Sequence, residues 1–125
     1  MTRGREVPDV ADAPEAAALR SPCPVACALD VVGDRWTLLV VRDLRGGKRR
    51  YGDLLRSAES IPTNILAERL KRLERAGLVR RVQYSEHPPR AEYELTAAGQ
   101  GLGETLDALG RWGRQQFPNR PRRPD

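Results

Sequence analysis

Histidine occurs once in the 125 residues, cysteine twice, and aromatic side chains make up 5% of the chain. Each scarcity removes a class of function. With His87 alone there is no Ser-His-Asp arrangement, and no carboxylate pair backed by other polar groups takes its place. A cysteine nucleophile needs a base, and His87 is far from Cys23 in the chain, so no catalytic residue is assigned. Two cysteines and one distant histidine fall short of the four ligands of a structural zinc, so no metal is expected. No glycine-rich phosphate loop or dinucleotide fingerprint occurs, and no cofactor is expected. No window approaches the roughly 18 apolar residues of a membrane span. The opening TRGREVPDVADAPEAAALRS has no apolar core of the kind a signal peptide needs. Sparse cysteine fits a reducing compartment, and the expectation is a cytoplasmic protein without a structural disulfide.

What is abundant is positive charge. Lysine and arginine outnumber the acids by 22 to 17, a formal net charge of +5, which suits a polyanionic partner. An ordinary solvated surface is the competing reading. The length fits one domain with tail to spare. Residues 1–20, rich in Ala, Pro and charge without periodicity, are expected to be a disordered arm. Residues 118–125 (PNRPRRPD) form a proline-broken basic tail, which leaves 21–117 as the domain.

That domain is patterned for helices. Pro24 suits the first turn of a helix running through Val31 and ended by Gly33. Asp34 can cap a second helix in which Trp36, Leu39, Val40 and Leu44 share a face, and Gly46-Gly47 stops it. Tyr51 to Ser57 reads as a short third helix, with Leu54 and Leu55 inward and a turn over 58–62. Leu66, Leu70 and Leu73 form the stripe of a long amphipathic helix, with Gly77 at its end. Leu78 to Tyr84 reads as a strand, Pro88-Pro89-Arg90 as a turn, and Tyr93-Glu94-Leu95 as the partner strand. Thr96 can cap one final helix reaching about Gln116, striped by Leu102, Leu106, Leu109 and Trp112. Glycines 99, 101, 103, 110 and 113 weaken that helix, and close approach of another backbone is one use for them. A short helix, a long helix and a basic hairpin, in that order, make a winged helix-turn-helix: mainly α, with a small β-hairpin wing.

Stepping about 100° per residue from an inward Leu66 puts Asn64, Ala67, Glu68, Lys71 and Arg75 outward, with Arg69 and Arg72 on a flank. The major groove of double-stranded DNA admits one such helix. Asn64 can read an adenine edge and Ala67 a thymine methyl, while Lys71, Arg72 and Arg75 suit phosphates. Glu68 can accept from a cytosine amino group or pair within the helix with Arg72, and the pair is favoured. Lys48-Arg49-Arg50 and Tyr51 lie where the first helix of such a unit meets the DNA backbone. Arg90 at the hairpin tip suits a neighbouring minor groove, and His87 beside it reads as a solvated loop residue. A solvated face on any small helical protein would also explain the long helix alone; three basic clusters at the expected places favour DNA.

Three segments carry a family resemblance: CPVACALDVVGDRWTLLVVRDLRGGKRRYGDL, IPTNILAERLKRLERAGLV and YSEHPPRAEYELTAAG. In order and spacing they closely resemble HxlR-type transcriptional regulators, a branch of the MarR-like winged-helix proteins, from Cys23 to about Gly113. The resemblance implies a bacterial regulator, cytoplasmic and nucleoid-associated, acting as a homodimer on a pseudo-palindromic promoter site. It implies dimerisation through the N- and C-terminal helices, and so through Val25, Leu29, Leu102, Leu106, Leu109 and Trp112. It implies groove contacts from Thr63, Asn64, Arg69 and Lys71 and a wing contact from Arg90, without carrying over base preferences. Some members sense electrophiles, aldehydes or oxidants through a thiol at the place of Cys23. That makes Cys23 the candidate sensor, since a helix N-terminus favours the reactive thiolate; an inert thiol is the alternative. Cys27 departs from the family pattern, and its i, i+4 spacing within a helix disfavours a disulfide with Cys23. It is assigned to core or interface filling.

A winged helix can also serve as a protein-docking or RNA-binding module. Few aromatics lie among the basic residues, which argues against single-strand stacking. A docking module would not need Lys71, Arg75 and Arg90 on one surface.

Overall fold

The computed structural model describes residues 21–119. The arm expected over 1–20 and the 120–125 part of the basic tail lie outside the described residues. The order is α1 (Pro24–Val32), α2 (Thr37–Arg45), α3 (Tyr51–Leu55), α4 (Thr63–Arg75), β1 (Val79–Glu86), β2 (Pro89–Leu95), α5 (Ala97–Gln100) and α6 (Gly103–Gln116).

α2 is the central element, packed by α1, α3, α4, β2 and α6. Its buried face is Thr37, Val40, Val41 and Leu44, so Val41 joins the expected face while Trp36 and Leu39 are only partly covered. α4 buries Leu66, Leu70 and Leu73 against this face, as their spacing predicts, and Leu54, Ile61, Val79 and Leu95 close the core. Gly77, at φ 79°, takes the left-handed conformation that lets the chain leave α4 and enter β1.

Three boundaries differ from expectation. α3 ends at Leu55 rather than Ser57, because Ser57 turns inward to an acid–arginine cluster: Arg42 donates to its hydroxyl and bridges to Glu59 at 2.7 Å. The hairpin is longer than expected. Ser85 pairs with Arg90 and Glu86 with Pro89, so the turn is His87-Pro88 and Arg90 belongs to β2. Pro89 is tolerated there because the first residue of a strand can do without an amide donor. The single final helix is two. Thr96 caps α5, its hydroxyl accepting from the Gly99 amide at 3.2 Å and donating to the Gly77 carbonyl at 2.6 Å. A turn at Gly101-Leu102 then redirects the chain into α6.

Residues Arg49 and Arg50 run beside β2. The Tyr93 amide donates to the Arg49 carbonyl at 2.7 Å and Arg50 bridges Glu92, extending the two-stranded sheet by a short third edge. The whole is a winged helix-turn-helix: α3, turn and α4, followed by the β1–β2 wing.

A partly buried ion pair joins the α1–α2 corner to α4. Asp34 accepts from the Trp36 and Thr37 amides at 3.0 and 3.2 Å, and from Arg69 Nε at 2.8 Å. It thus holds the turn before α2, whose N-cap is Trp36 rather than the expected Asp34, and also grips the long helix. Burial pushes its carboxyl up, but hydrogen bonds from Thr37, Arg69 and Trp36 outweigh that and hold it well below the usual carboxylate range. Asp34→Asn should therefore cost ~1–3 kcal/mol in urea unfolding at neutral pH. A depressed folded pKa stabilises above the unfolded value of 3.8 and loses that contribution as pH falls through it toward the folded value. The gap between wild type and variant should narrow progressively below that pH; a pH-independent gap would deny the ion pair its role.

Two glycines make an opposed pair of predictions. A Cβ on Gly99 would lie 2.1 Å from the Leu78 carbonyl oxygen, so Gly99→Ala must push α5 away from the backbone just before β1 and should cost ~2 kcal/mol or more. A Cβ on Gly113 meets nothing within 4 Å, so Gly113→Ala inside α6 should stabilise by ~0.5–1 kcal/mol. Thermal melts of the two variants check both signs.

Candidate nucleic-acid interface

The outward face of α4 follows from its inward one. With Leu66, Leu70 and Leu73 buried, Thr63, Asn64, Ala67, Glu68, Lys71 and Arg75 are all exposed. The approach to the helix is fixed from α3, where the Tyr51 hydroxyl donates to the Thr63 carbonyl at 2.8 Å. Tyr51, half-buried, holds the turn of the helix-turn-helix closed.

The two flank arginines are not free on the surface. Arg69 has a side chain only 17% exposed, pairing with Asp34 and with Glu68. Arg72 Nη2 donates to the Asp30 carbonyl at 2.9 Å and the Val31 carbonyl at 3.5 Å, capping the end of α1. The expected Glu68–Arg72 pair is therefore corrected. Arg72 reaches away to carbonyls that the end of α1 leaves without intrahelical donors, and Glu68 is taken by Arg69.

The basic cluster before α3 is likewise engaged. Lys48 Nζ lies 4.0 Å from buried Asp43, Arg49 pairs with Glu94 at 3.3 Å, and Arg50 pairs with Glu92 at 3.3 Å. Arg50 also stacks over the Tyr84 ring at 4.8 Å. Arg80 makes a 2.8 Å pair with Glu94, and its hydrogen bond holds that carboxyl below its ordinary range. These acids were missed in the sequence. Their signal was the hairpin register, which sets Arg80 directly opposite Glu94. Arg90 is exposed on β2 beside the tip, with no ion pair among the described residues, and His87 is exposed at the turn.

The residues assigned to dimerisation divide. Val25, Leu29, Leu109 and Trp112 are between 51% and 65% exposed, and Phe117 stacks edge-on against Trp112 with centroids 6.4 Å apart. Leu102 and Leu106 instead pack partly buried on the chain's own core. Cys23 is exposed immediately before α1. Cys27, half-buried, donates its thiol to the Ser21 carbonyl at 3.4 Å. Among the described residues no group of three His, Cys, Asp or Glu is placed to hold a metal, and no helix is long and apolar enough to cross a membrane.

Known proteins share this arrangement. The family described as HxlR-like helix-turn-helix matches residues 31–121. The uncharacterized HTH-type transcriptional regulator Rv3095 of Mycobacterium tuberculosis is 45% identical over 100 residues, spanning 80% of this chain and 62% of that protein. The chain thus covers less than two thirds of this mycobacterial relative. The HTH-type regulator YtcD of Bacillus subtilis is 36% identical over 89 residues, 71% of each chain. The crystal structure of ytcD superposes with a TM-score of 0.72 at 33% identity, covering 78% of this chain and 99% of that one. The redox regulator HypR in its reduced form superposes with a TM-score of 0.70 at 32% identity, over 78% of this chain and 95% of that one. By sequence and by fold, the chain belongs to the HxlR-like helix-turn-helix family of DNA-binding transcriptional regulators.

Proposed function

We propose that the chain acts as a homodimer on a pseudo-palindromic promoter site, each protomer laying the outer face of α4 in a major groove. The observation that carries this reading is the exposed face Asn64, Ala67, Glu68, Lys71 on a helix whose rotation is pinned from behind by Asp34 and Asp30. Asn64 and Ala67 are the base readers, and Lys71 and Arg75 the phosphate contacts. Arg90 supplies the wing contact. Lys48, Arg49 and Arg50, each beside a carboxylate, reach phosphates only by exchanging partners, so they add less than their number suggests. The apolar patch of Val25, Leu29, Leu109 and Trp112 is the dimer surface, large enough in side chain to be costly if left in water. This function places the protein in the bacterial cytoplasm, at the nucleoid.

Selection of duplexes from a random pool by the purified, reduced protein tests the reading. A palindrome with half-sites about one helical turn apart is expected; no enrichment would leave the docking-module alternative standing. Lys71→Ala and Arg90→Ala should each weaken binding about evenly across sequences and lower the salt slope by about one. A wild-type affinity indifferent to salt would contradict phosphate contact altogether.

Cys23 gives the regulator a thiol input. It is exposed at the start of α1, which belongs to the proposed dimer surface, and the similar HypR carries the name redox regulator. Thiol-reactive compounds should change DNA affinity in the wild type and in Cys27→Ser but not in Cys23→Ser. A wild type that ignores them removes the sensor role and leaves DNA binding intact.

A further inference from the structure

Glu68 is anomalous. It puts a negative charge in the middle of the helix face that meets a polyanion, flanked along the helix by Asn64 and Lys71. Its side chain is 50% exposed, and its carboxylate is anchored: Arg69 Nη1 donates to Glu68 Oε1. Arg69 is anchored in turn, since its Nε donates at 2.8 Å to Asp34 Oδ2. Asp34 is itself held by the Trp36 and Thr37 amides and the Thr37 hydroxyl. A negative–positive–negative relay thus runs from a backbone-fixed carboxylate at the α1–α2 corner, through the partly buried Arg69, to a carboxylate on the outer face. Among the described residues Glu68 Oε2 receives no donor.

We propose that Glu68 is a specificity-determining residue, its Oε2 accepting from the exocyclic amino group of a cytosine in the major groove, and that Arg69 and Asp34 are positioning residues for it. A carboxylate is acceptor-only, so it pairs with the cytosine N4 amino group and finds no donor on the major-groove edges of guanine or thymine. Adenine N6 also donates, but N7 beside it is an acceptor and repels the second carboxylate oxygen, which leaves cytosine favoured. The relay removes rotamer freedom before DNA arrives, so less entropy is lost on contact. It also gives Arg69, paired with Asp34 and Glu68, a role other than phosphate contact: its charge orients an acceptor. This proposal rests on the reading of α4 as the groove helix.

The experiment is pool selection followed by affinities for duplexes varied one base pair at a time. It uses wild type, Glu68→Ala and Arg69→Lys, with thermal melts to confirm folding. Wild type should demand cytosine at one position of each half-site, with discrimination on the order of 10-fold. Glu68→Ala should lose that preference alone, without weakening the best remaining sequences, because a charge repelled by phosphate has gone. Arg69→Lys keeps the charge and removes the two-pronged bridge, so it should relax the same position and leave the salt slope unchanged. Unchanged preference at every position in Glu68→Ala overturns the assignment. A uniform loss of affinity with altered salt slope in Arg69→Lys overturns the relay and makes Arg69 a phosphate contact. If wild type selects no sequence, the DNA-reading function itself fails, and this inference with it.

Discussion

Rotation of α4 about its own axis is the constraint on which the rest of the reading unit depends, and leucines cannot set it alone. A stripe of Leu66, Leu70 and Leu73 buries a broad sector, and a turn of some tens of degrees would keep all three covered while moving every outward side chain. Two arginines on the flank remove that freedom. Arg69 is tied to Asp34 and Arg72 to the carbonyls of Asp30 and Val31, so two points three residues apart on α4 are held by one corner of the chain. These ties are partly buried, where an ion pair resists solvent screening. The pairs on the wing, such as Arg80 with Glu94, are more exposed and are worth ~0–1 kcal/mol each.

Net charge is consequently a poor guide to where this surface is positive. Arg45 is matched by Asp107, Arg56 by Asp53, Arg49 and Arg80 by Glu94, and Arg50 by Glu92. The cations for which no ion pair is seen among the described residues include Lys71 on α4 and Arg81 and Arg90 on the wing. Lys71, Arg81 and Arg90 thus keep their charge on the helix-and-wing surface, while the arginines before α3 and at the base of the wing are matched by acids beside them. Potential is governed by this local balance rather than by the sum over the chain.

Much of this was legible in the sequence because it is periodic. The buried stripe of α4, its outward face, the Gly77 exit and the Thr96 cap all follow from spacing and from what individual residues do at helix ends. Partners chosen across the fold were not legible. Nothing local tells Arg72 to prefer carbonyls of Asp30 and Val31 to Glu68 one turn away, since that depends on where α1 ends in space. The split of the last helix was half-visible. Its glycines signalled weakness, but the reason for one of them is the Leu78 carbonyl, twenty-one residues earlier in sequence (99 against 78) and in contact only after folding. Apolar stripes have the same ambiguity. Leu102 and Leu109 carry equal hydrophobic signals, yet the first covers the chain's own core and the second faces out.

That division gives α1 and α6 two jobs at once. α6 lays Leu106 on the core and clamps Arg45 of α2 through Asp107, while presenting Leu109 and Trp112 outward. α1 presents Val25 and Leu29 outward, and its last carbonyls receive Arg72 from α4. At 9 residues, α1 is about 13 Å long. One nine-residue element therefore carries both the exposed side chains Val25 and Leu29 and the carbonyls that hold Arg72, so the outward apolar patch and the anchor of α4 cannot be changed independently of one another.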